Sequence, residues 1–149
     1  MPYTIGDMAK TLGLATSALR YYDKEGLLPF VERSEGGRRV FKKEDIEWLK
    51  VIECLKKTGM QLRDIRSFIE MAMQGDATIK ARLELIRTQK EAVEKQMAEL
   101  RETLETLEFK EWYYETALTA GSTSVPRNMP LEELPERFRP VRRRLKNED

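Results

Sequence analysis

Two short runs of arginine and tyrosine carry the side chains in this sequence best suited to chemistry. They are Arg20-Tyr21-Tyr22 and, eighteen positions on from the first arginine, Arg38-Arg39. Guanidinium groups bind phosphate oxygens through paired hydrogen bonds, and tyrosine hydroxyls also donate to phosphate. Both runs therefore favour contact with double-stranded DNA. The alternative interpretation is an ordinary solvated surface, with Tyr22 in the core.

The missing residue types exclude several classes of protein. The chain has 149 residues, no histidine and one cysteine. Without histidine it cannot build a Ser-His-Asp or Cys-His nucleophilic site, or an ordinary zinc or haem site. We therefore expect no catalytic residue, no metal and no cofactor, and the protein is not predicted to be an enzyme.

A lone cysteine cannot close an internal disulfide, which favours a reducing, cytoplasmic compartment. No apolar run approaches the ~20 residues that span a bilayer, so no membrane association is predicted.

The elements that position the first run are two short helices. Apolar residues at i, i+3, i+4 and i+7 predict a helix from Ile5 to Leu12, with Thr4 and Asp7 as its capping box. A second helix, capped by Thr16 or Ser17, is predicted to end near residue 25. The pair forms a helix-turn-helix, in which the start of the second helix approaches the base edges. Thr16 and Ser17 therefore join the candidate DNA-binding residues.

The second run lies on a predicted hairpin, or wing. Gly36-Gly37 separates two short extended runs, 31–33 and 39–41, which is typical of a hairpin. Two further amphipathic helices are predicted over about 44–57 and 62–73. Residues 1–74 thus form a winged helix-turn-helix in a mainly α-helical chain.

Residues 75–118 are predicted to form one long dimerisation helix. Steps of four and three from Ile79 fall on apolar residues at ten of twelve positions, with Lys90 and Glu111 as the interruptions. So narrow a stripe on so polar a helix needs a partner helix, and a second copy is the simplest one. The pattern leaves parallel and antiparallel pairing open. The main positions of this dimer seam are Ile79, Leu83, Ile86, Val93, Met97, Leu100, Leu104 and Leu107.

Residues 119–149 are expected to be a flexible tail. Prolines recur through this segment, and Arg142-Arg143-Arg144 follows them. Proline-rich basic ends are commonly solvated. An auxiliary contact to DNA or to polymerase is the alternative.

Residues 3–73 resemble the DNA-binding domain of the MerR family of transcriptional regulators. The most recognisable run is LRYYDKEGLLP at 19–29, preceded by YTIGD at 3–7 and followed by GRRVF at 37–41 and GMQL at 59–62. Phe41 stands where the family often has tyrosine, and so does Arg38. Gln61 replaces a frequent serine cap.

The resemblance implies that a homodimer joined by an antiparallel coiled coil binds promoter DNA. It further implies that the dimer bends and untwists an overlong spacer, so that RNA polymerase can engage its recognition elements. Arg39 is implied as a phosphate ligand, and Tyr22 as a residue nearer the junction of helix and wing. The residues implied to face DNA are Thr16, Ser17, Arg20, Tyr21, Tyr22, Arg38 and Arg39.

Cys54 is a candidate redox or electrophile sensor. The sequence around it resembles the single-cysteine branch that responds to aldehydes and other thiol-reactive stress. Lys50 and Lys57 share its helix face, and nearby cations favour the reactive thiolate. The alternative is a small, half-buried packing residue.

An aromatic cluster near the end of the long helix is a candidate ligand site. Trp112, Tyr113 and Tyr114 follow Phe109 there. They could bind a small apolar ligand, or simply pack between subunits. Two rivals to a DNA-binding regulator stay open: a coiled-coil protein-interaction module, and a ligand-binding regulator that uses this cluster.

Overall fold

The computed structural model describes residues 2–146, and these form a mainly helical chain with one small hairpin. The fold class predicted from the sequence is confirmed. In chain order the elements are α1 (Ile5–Leu12), α2 (Thr16–Lys24), β1 (Glu32–Arg33), β2 (Arg39–Val40), α3 (Asp45–Lys57), α4 (Leu62–Met73), a 3-10 turn (Asp76–Thr78), α5 (Ile79–Ala120), α6 (Ser124–Asn128), two 3-10 turns (Leu131–Glu133 and Glu136–Phe138) and α7 (Arg139–Lys146).

The chain divides into two compact units, and the first ends at Val93. This boundary lies inside α5, well beyond the predicted end of the DNA-binding domain at residue 74. The start of α5 belongs to the first unit because Leu85 packs against its core. In addition, the Gln89 side-chain amide donates a hydrogen bond of 2.7 Å to the carbonyl of Thr58.

Local hydrogen bonds fix the start and end of α1. The Asp7 N–H donates to the Thr4 hydroxyl (3.2 Å), and the Thr4 N–H donates back to the Asp7 carboxylate (2.8 Å). The bonds from Thr4 lower the pKa of Asp7, since they favour the ionised form. Gly13 ends the helix with a φ of 67°, a conformation that side chains disfavour.

The wing is a two-stranded antiparallel hairpin held at its base by the N-terminal segment. Arg33 pairs with Arg39 in register, and Gly37 makes the turn with a φ of 76°. Tyr3 and Phe41 exchange two backbone hydrogen bonds, of 2.8 and 3.1 Å. The Phe41 ring is completely buried. The tyrosine hydroxyl that Phe41 lacks would therefore point into the core of this unit.

Helices α3 and α4 complete the core of the first unit. Gln61 makes no side-chain capping bond at the start of α4, where serine would be a common cap. The fully buried side chains of this unit come from all four helices, from the loop after α2 and from the residue after β2. The largest are Met8, Leu19, Tyr22, Leu27, Leu28, Phe41, Leu49, Ile52, Ile65 and Ile69.

In the second unit, the segment after α5 folds back onto that helix. Phe138, Leu134 and Val141 are buried with Phe109 in a second core. Arg144 also forms an ion pair of 3.1 Å with Glu102 of α5. The expectation of a flexible tail is therefore corrected for the residues described. Pro130 and Pro135 separate short helical elements, and apolar side chains among these elements anchor the segment. Residues 147–149 lie outside the described part.

The seam of α5 stays exposed after this packing. Phe109 and Glu102 lie on the helix face opposite the predicted seam, so the C-terminal segment covers that opposite face. Three seam leucines are more than half exposed: Leu100 (69%), Leu104 (54%) and Leu107 (59%). The apolar stretch from Met97 to Leu107 is thus left available to another chain. Among residues 2–146, no helix is both long and apolar enough to span a membrane.

Candidate nucleic-acid interface

One face of α2 presents the polar residues predicted to contact DNA. Thr16, Ser17, Arg20 and Tyr21 are exposed, while Leu19 on the opposite face is buried. Spacings of three and four residues keep the four exposed side chains on one side of the helix. The side chains predicted to contact phosphates and bases therefore point outward from a helix whose inner face is anchored.

The start of α2 adds backbone donors to this face. Ala15 occupies the N-cap position and makes no side-chain capping bond. The first N–H groups of a helix lack intrahelical partners and carry the positive end of the helix dipole. This end of α2 therefore suits a phosphate oxygen beside Thr16 and Ser17.

Tyr22 lies in the core and not on the exposed face. Its hydroxyl donates a hydrogen bond of 2.5 Å to Glu53 and accepts one of 2.8 Å from Lys56, both on α3. Burial raises the pKa of this phenol, with the Glu53 bond as a second cause. Its structural role is therefore to join α2 to α3, which corrects the expectation that Tyr22 contacts DNA directly.

The two wing arginines differ in environment. Arg38 is exposed beside the turn, and its backbone N–H donates to the Ser34 hydroxyl at 3.3 Å. The side chain of Arg39 is only 19% exposed. Its guanidinium binds the carboxylate of Asp23 at the end of α2 and donates to the carbonyl of Val31 at 2.8 Å. Arg39 thus joins the wing to α2, and its predicted phosphate contact would compete with these bonds.

We expect Arg39→Gln to lower the free energy of unfolding of the first unit by about 2–3 kcal/mol. The substitution removes the closer of two guanidinium groups beside the partly buried carboxylate of Asp23, the other being that of Arg33 at 3.7 Å. Urea denaturation followed by circular dichroism measures the change. The matched control is Arg38→Gln, which should cost less than about 0.5 kcal/mol because Arg38 is exposed. Equal effects of the two substitutions would contradict the structural role of Arg39.

Cys54 lies in a cleft between the α1–α2 turn and α3. The thiol-bearing side chain is exposed. Leu12 and Leu14 line one side of this cleft of about 560 Å³, and Lys50 and Lys57 of α3 line the other. An exposed position contradicts the alternative in which Cys54 is a half-buried packing residue. The two lysines on its own face are placed as predicted.

Comparison with known proteins identifies the family. A model of the "MerR HTH family regulatory protein" matches residues 3–72, and a second model, "MerR, DNA binding", matches residues 46–108. An HTH-type transcriptional regulator from Haemophilus influenzae is 44% identical over 136 residues, which is 91% of this chain and 98% of the relative. The chain belongs to the MerR family of transcriptional regulators.

Two further relatives of this MerR-family chain bear on its function. The crystal structure of HiNmlR, "a MerR family regulator lacking the sensor domain, bound to promoter DNA", is 45% identical with a TM-score of 0.65. The match covers 83% of this chain and 98% of HiNmlR. The regulator AdhR of Bacillus subtilis is 32% identical over 87 residues, or 58% of this chain and 62% of AdhR.

The MerR-family chain is thus a DNA-binding transcriptional regulator. MerR regulators act as dimers. Of the surfaces described, the exposed seam of α5 is the one whose apolar periodicity fits a second copy of the same helix.

The aromatic cluster of this regulator is divided between two environments. Trp112 and Tyr113 pack against the second core, with ring centroids of Trp112 and Phe138 5.6 Å apart. Tyr114 is 62% exposed at a seam position. Part of the cluster therefore packs within one subunit, and part is available to the dimer partner. Among residues 2–146, no group of Cys, Asp and Glu is placed to hold a metal ion.

Proposed function

We propose that a homodimer of this chain binds a two-fold symmetric site in promoter DNA and distorts it to control transcription. The single observation that carries the proposal is the exposed face of α2. Thr16, Ser17, Arg20 and Tyr21 point away from a helix whose other side is held in the core. This is the geometry with which a recognition helix enters the major groove.

The wing extends this surface to the DNA backbone. Arg38 is exposed next to the hairpin turn, where its guanidinium can donate two parallel hydrogen bonds to one phosphate. Contacts to phosphate set the position of the protein, while contacts from α2 to bases set its sequence preference. Arg38 is therefore proposed to position the wing, and Arg39 to hold the wing in place on α2.

Pairing through the α5 seam would fix the distance between two such surfaces. We propose the antiparallel arrangement, which the resemblance to the MerR family implies. A rigid pair can stabilise a bent and untwisted duplex if contacts on both half-sites offset the deformation energy of the DNA. Distortion of an overlong promoter spacer would then present the recognition elements to RNA polymerase.

Selection of bound fragments from genomic DNA by the purified protein tests this function. We expect enrichment of an inverted repeat that lies between the two recognition elements of a promoter. A coiled-coil interaction module of another function would enrich no specific duplex. That result, with a folded and dimeric protein, would overturn the proposal.

We further propose that Cys54 senses thiol-reactive electrophiles. The supporting observation is an exposed thiol in a cleft that it shares with Lys50 and Lys57. Exposure lets an electrophile reach the sulfur, and the thiolate is the form that reacts. The likeness to AdhR and the single-cysteine pattern support the same branch of the family. Addition of the thiolate to an aldehyde forms a carbon–sulfur bond, and the carbonyl oxygen then takes a proton from water.

We expect Cys54→Ser to abolish the transcriptional response to formaldehyde while leaving operator affinity unchanged. The serine hydroxyl stays protonated and is a poor nucleophile, whereas its size preserves the cleft. In vitro transcription with and without formaldehyde measures the response, and operator binding of the untreated variant is the control. An unchanged formaldehyde response in Cys54→Ser would exclude the sensor.

A further inference from the structure

A second cavity lies in the C-terminal unit, between α5 and the helices that fold back onto it. It has a volume of about 180 Å³, and its apolar wall includes Phe109, Tyr113 and Leu145. An apolar cavity of ~150 Å³ is large enough to take benzene. This cavity therefore has room for one aromatic ring.

The aromatic wall of this cavity is held in position by the second core. Phe109 is 8% exposed and packs against two other rings, with centroids 5.9 Å from Trp112 and 5.7 Å from Phe138. The Tyr113 hydroxyl donates a hydrogen bond of 3.3 Å to the carbonyl of Thr123. Because these rings are already packed, little ordering is needed when a ligand ring binds.

All the charged residues in the lining are cationic. Pro126, Arg127, Arg142 and Lys146 complete the cavity, and no Asp or Glu of the described residues lines it. Arg127 donates to the Thr123 hydroxyl at 3.2 Å, and Arg142 donates to the carbonyl of Met129. A guanidinium has five N–H donors, so each arginine keeps donors for another acceptor. A small apolar space with three positive charges selects an anion.

We propose that this cavity binds a small aromatic carboxylate. The ring lies against Phe109 and Tyr113, and the carboxylate accepts hydrogen bonds from Arg127 and Lys146. The site goes beyond DNA binding and beyond Cys54, and both matched family models end at or before residue 108. It gives this regulator a binding site for a small organic anion.

Titration of the full-length protein with benzoate, without DNA, tests the site. Isothermal titration calorimetry should show saturable binding with a dissociation constant of about 1 mM or tighter. Benzamide has the same shape without the charge, and it should bind at least about tenfold more weakly because charge-assisted hydrogen bonds are lost. No saturable benzoate binding, or equal binding of benzamide, would overturn the proposal.

Variants locate the site. Arg127→Gln should weaken benzoate binding about tenfold, and Leu145→Trp, which fills the cavity, should abolish it. Arg143→Gln removes a positive charge from α7 outside the lining and should change nothing. Circular dichroism confirms that each variant is folded, and unchanged operator binding by Arg127→Gln separates this test from that of the DNA interface. Equal benzoate binding by Arg127→Gln and Arg143→Gln would place the ligand elsewhere and contradict the proposal.

Discussion

Replacing Arg20 with alanine should weaken binding of the dimer to its operator by about 100-fold or more. Arg20 is exposed on the outer face of α2, beside Thr16 and Ser17. A hydrogen bond to a charged group contributes about 1.5–3 kcal/mol, and a dimer loses this contact at both half-sites. Fluorescence anisotropy with a labelled duplex measures the loss.

The salt dependence of binding gives a second readout for Arg20→Ala. If each Arg20 neutralises one phosphate, the slope of log affinity against log salt should become shallower by about two. The control is Lys95→Gln, which also removes one exposed positive charge. Lys95 lies on α5, outside the seam and not on the α2 face. Equal affinity and slope for Arg20→Ala and the control would show that the outer face of α2 does not contact DNA.

Replacing Leu104 with lysine should raise the dimer dissociation constant by about 100-fold or more. Leu104 is 54% exposed in the single chain and lies within the apolar stretch of the seam between Lys90 and Glu111. Each substitution removes the burial of one leucine, worth about 1.5–3 kcal/mol, and places a charge in the interface twice. Sedimentation equilibrium at micromolar concentration should find monomers.

Ala92→Lys is the matched control for the seam substitution. Ala92 is exposed on α5 but lies outside the seam, so the same new charge should leave the dimer intact. We also expect Leu104→Lys to lose operator binding although its α2 face is unchanged, because the two half-sites are no longer held together. A Leu104→Lys protein that stays dimeric would require another interface.

Features that depend on local spacing were predictable from the sequence. Thr4 and Asp7 form the capping box expected from their separation of three residues. Gly37 turns the hairpin. The long helix predicted over 75–118 is present as α5, Ile79–Ala120, with a 3-10 turn over the first predicted residues. In each case the determining contacts lie within one helix or turn, or repeat along it, so the order of residues carries the information.

Features that depend on pairs of residues distant in sequence were not predictable. Arg39 bonds to Asp23, and Tyr22 bonds to Glu53, so two expected DNA ligands have partners within the protein. Their residue types suit DNA and intramolecular pairing equally well. The folded C-terminal segment was missed although its anchors Leu134, Phe138 and Val141 are spaced by four and three residues, as on one helix face. Pro135 and Pro140 lie between these anchors, and prolines inside so short a pattern favoured a solvated tail.

The most direct measurement compares operator binding by the purified protein before and after one half-site of the selected duplex is scrambled. In a dimer paired along the α5 seam, each α2 surface binds one half-site. Loss of one half-site should therefore weaken binding by at least about 100-fold and make its salt dependence shallower. Binding of equal strength to the intact and half-scrambled duplexes would contradict recognition by a paired dimer.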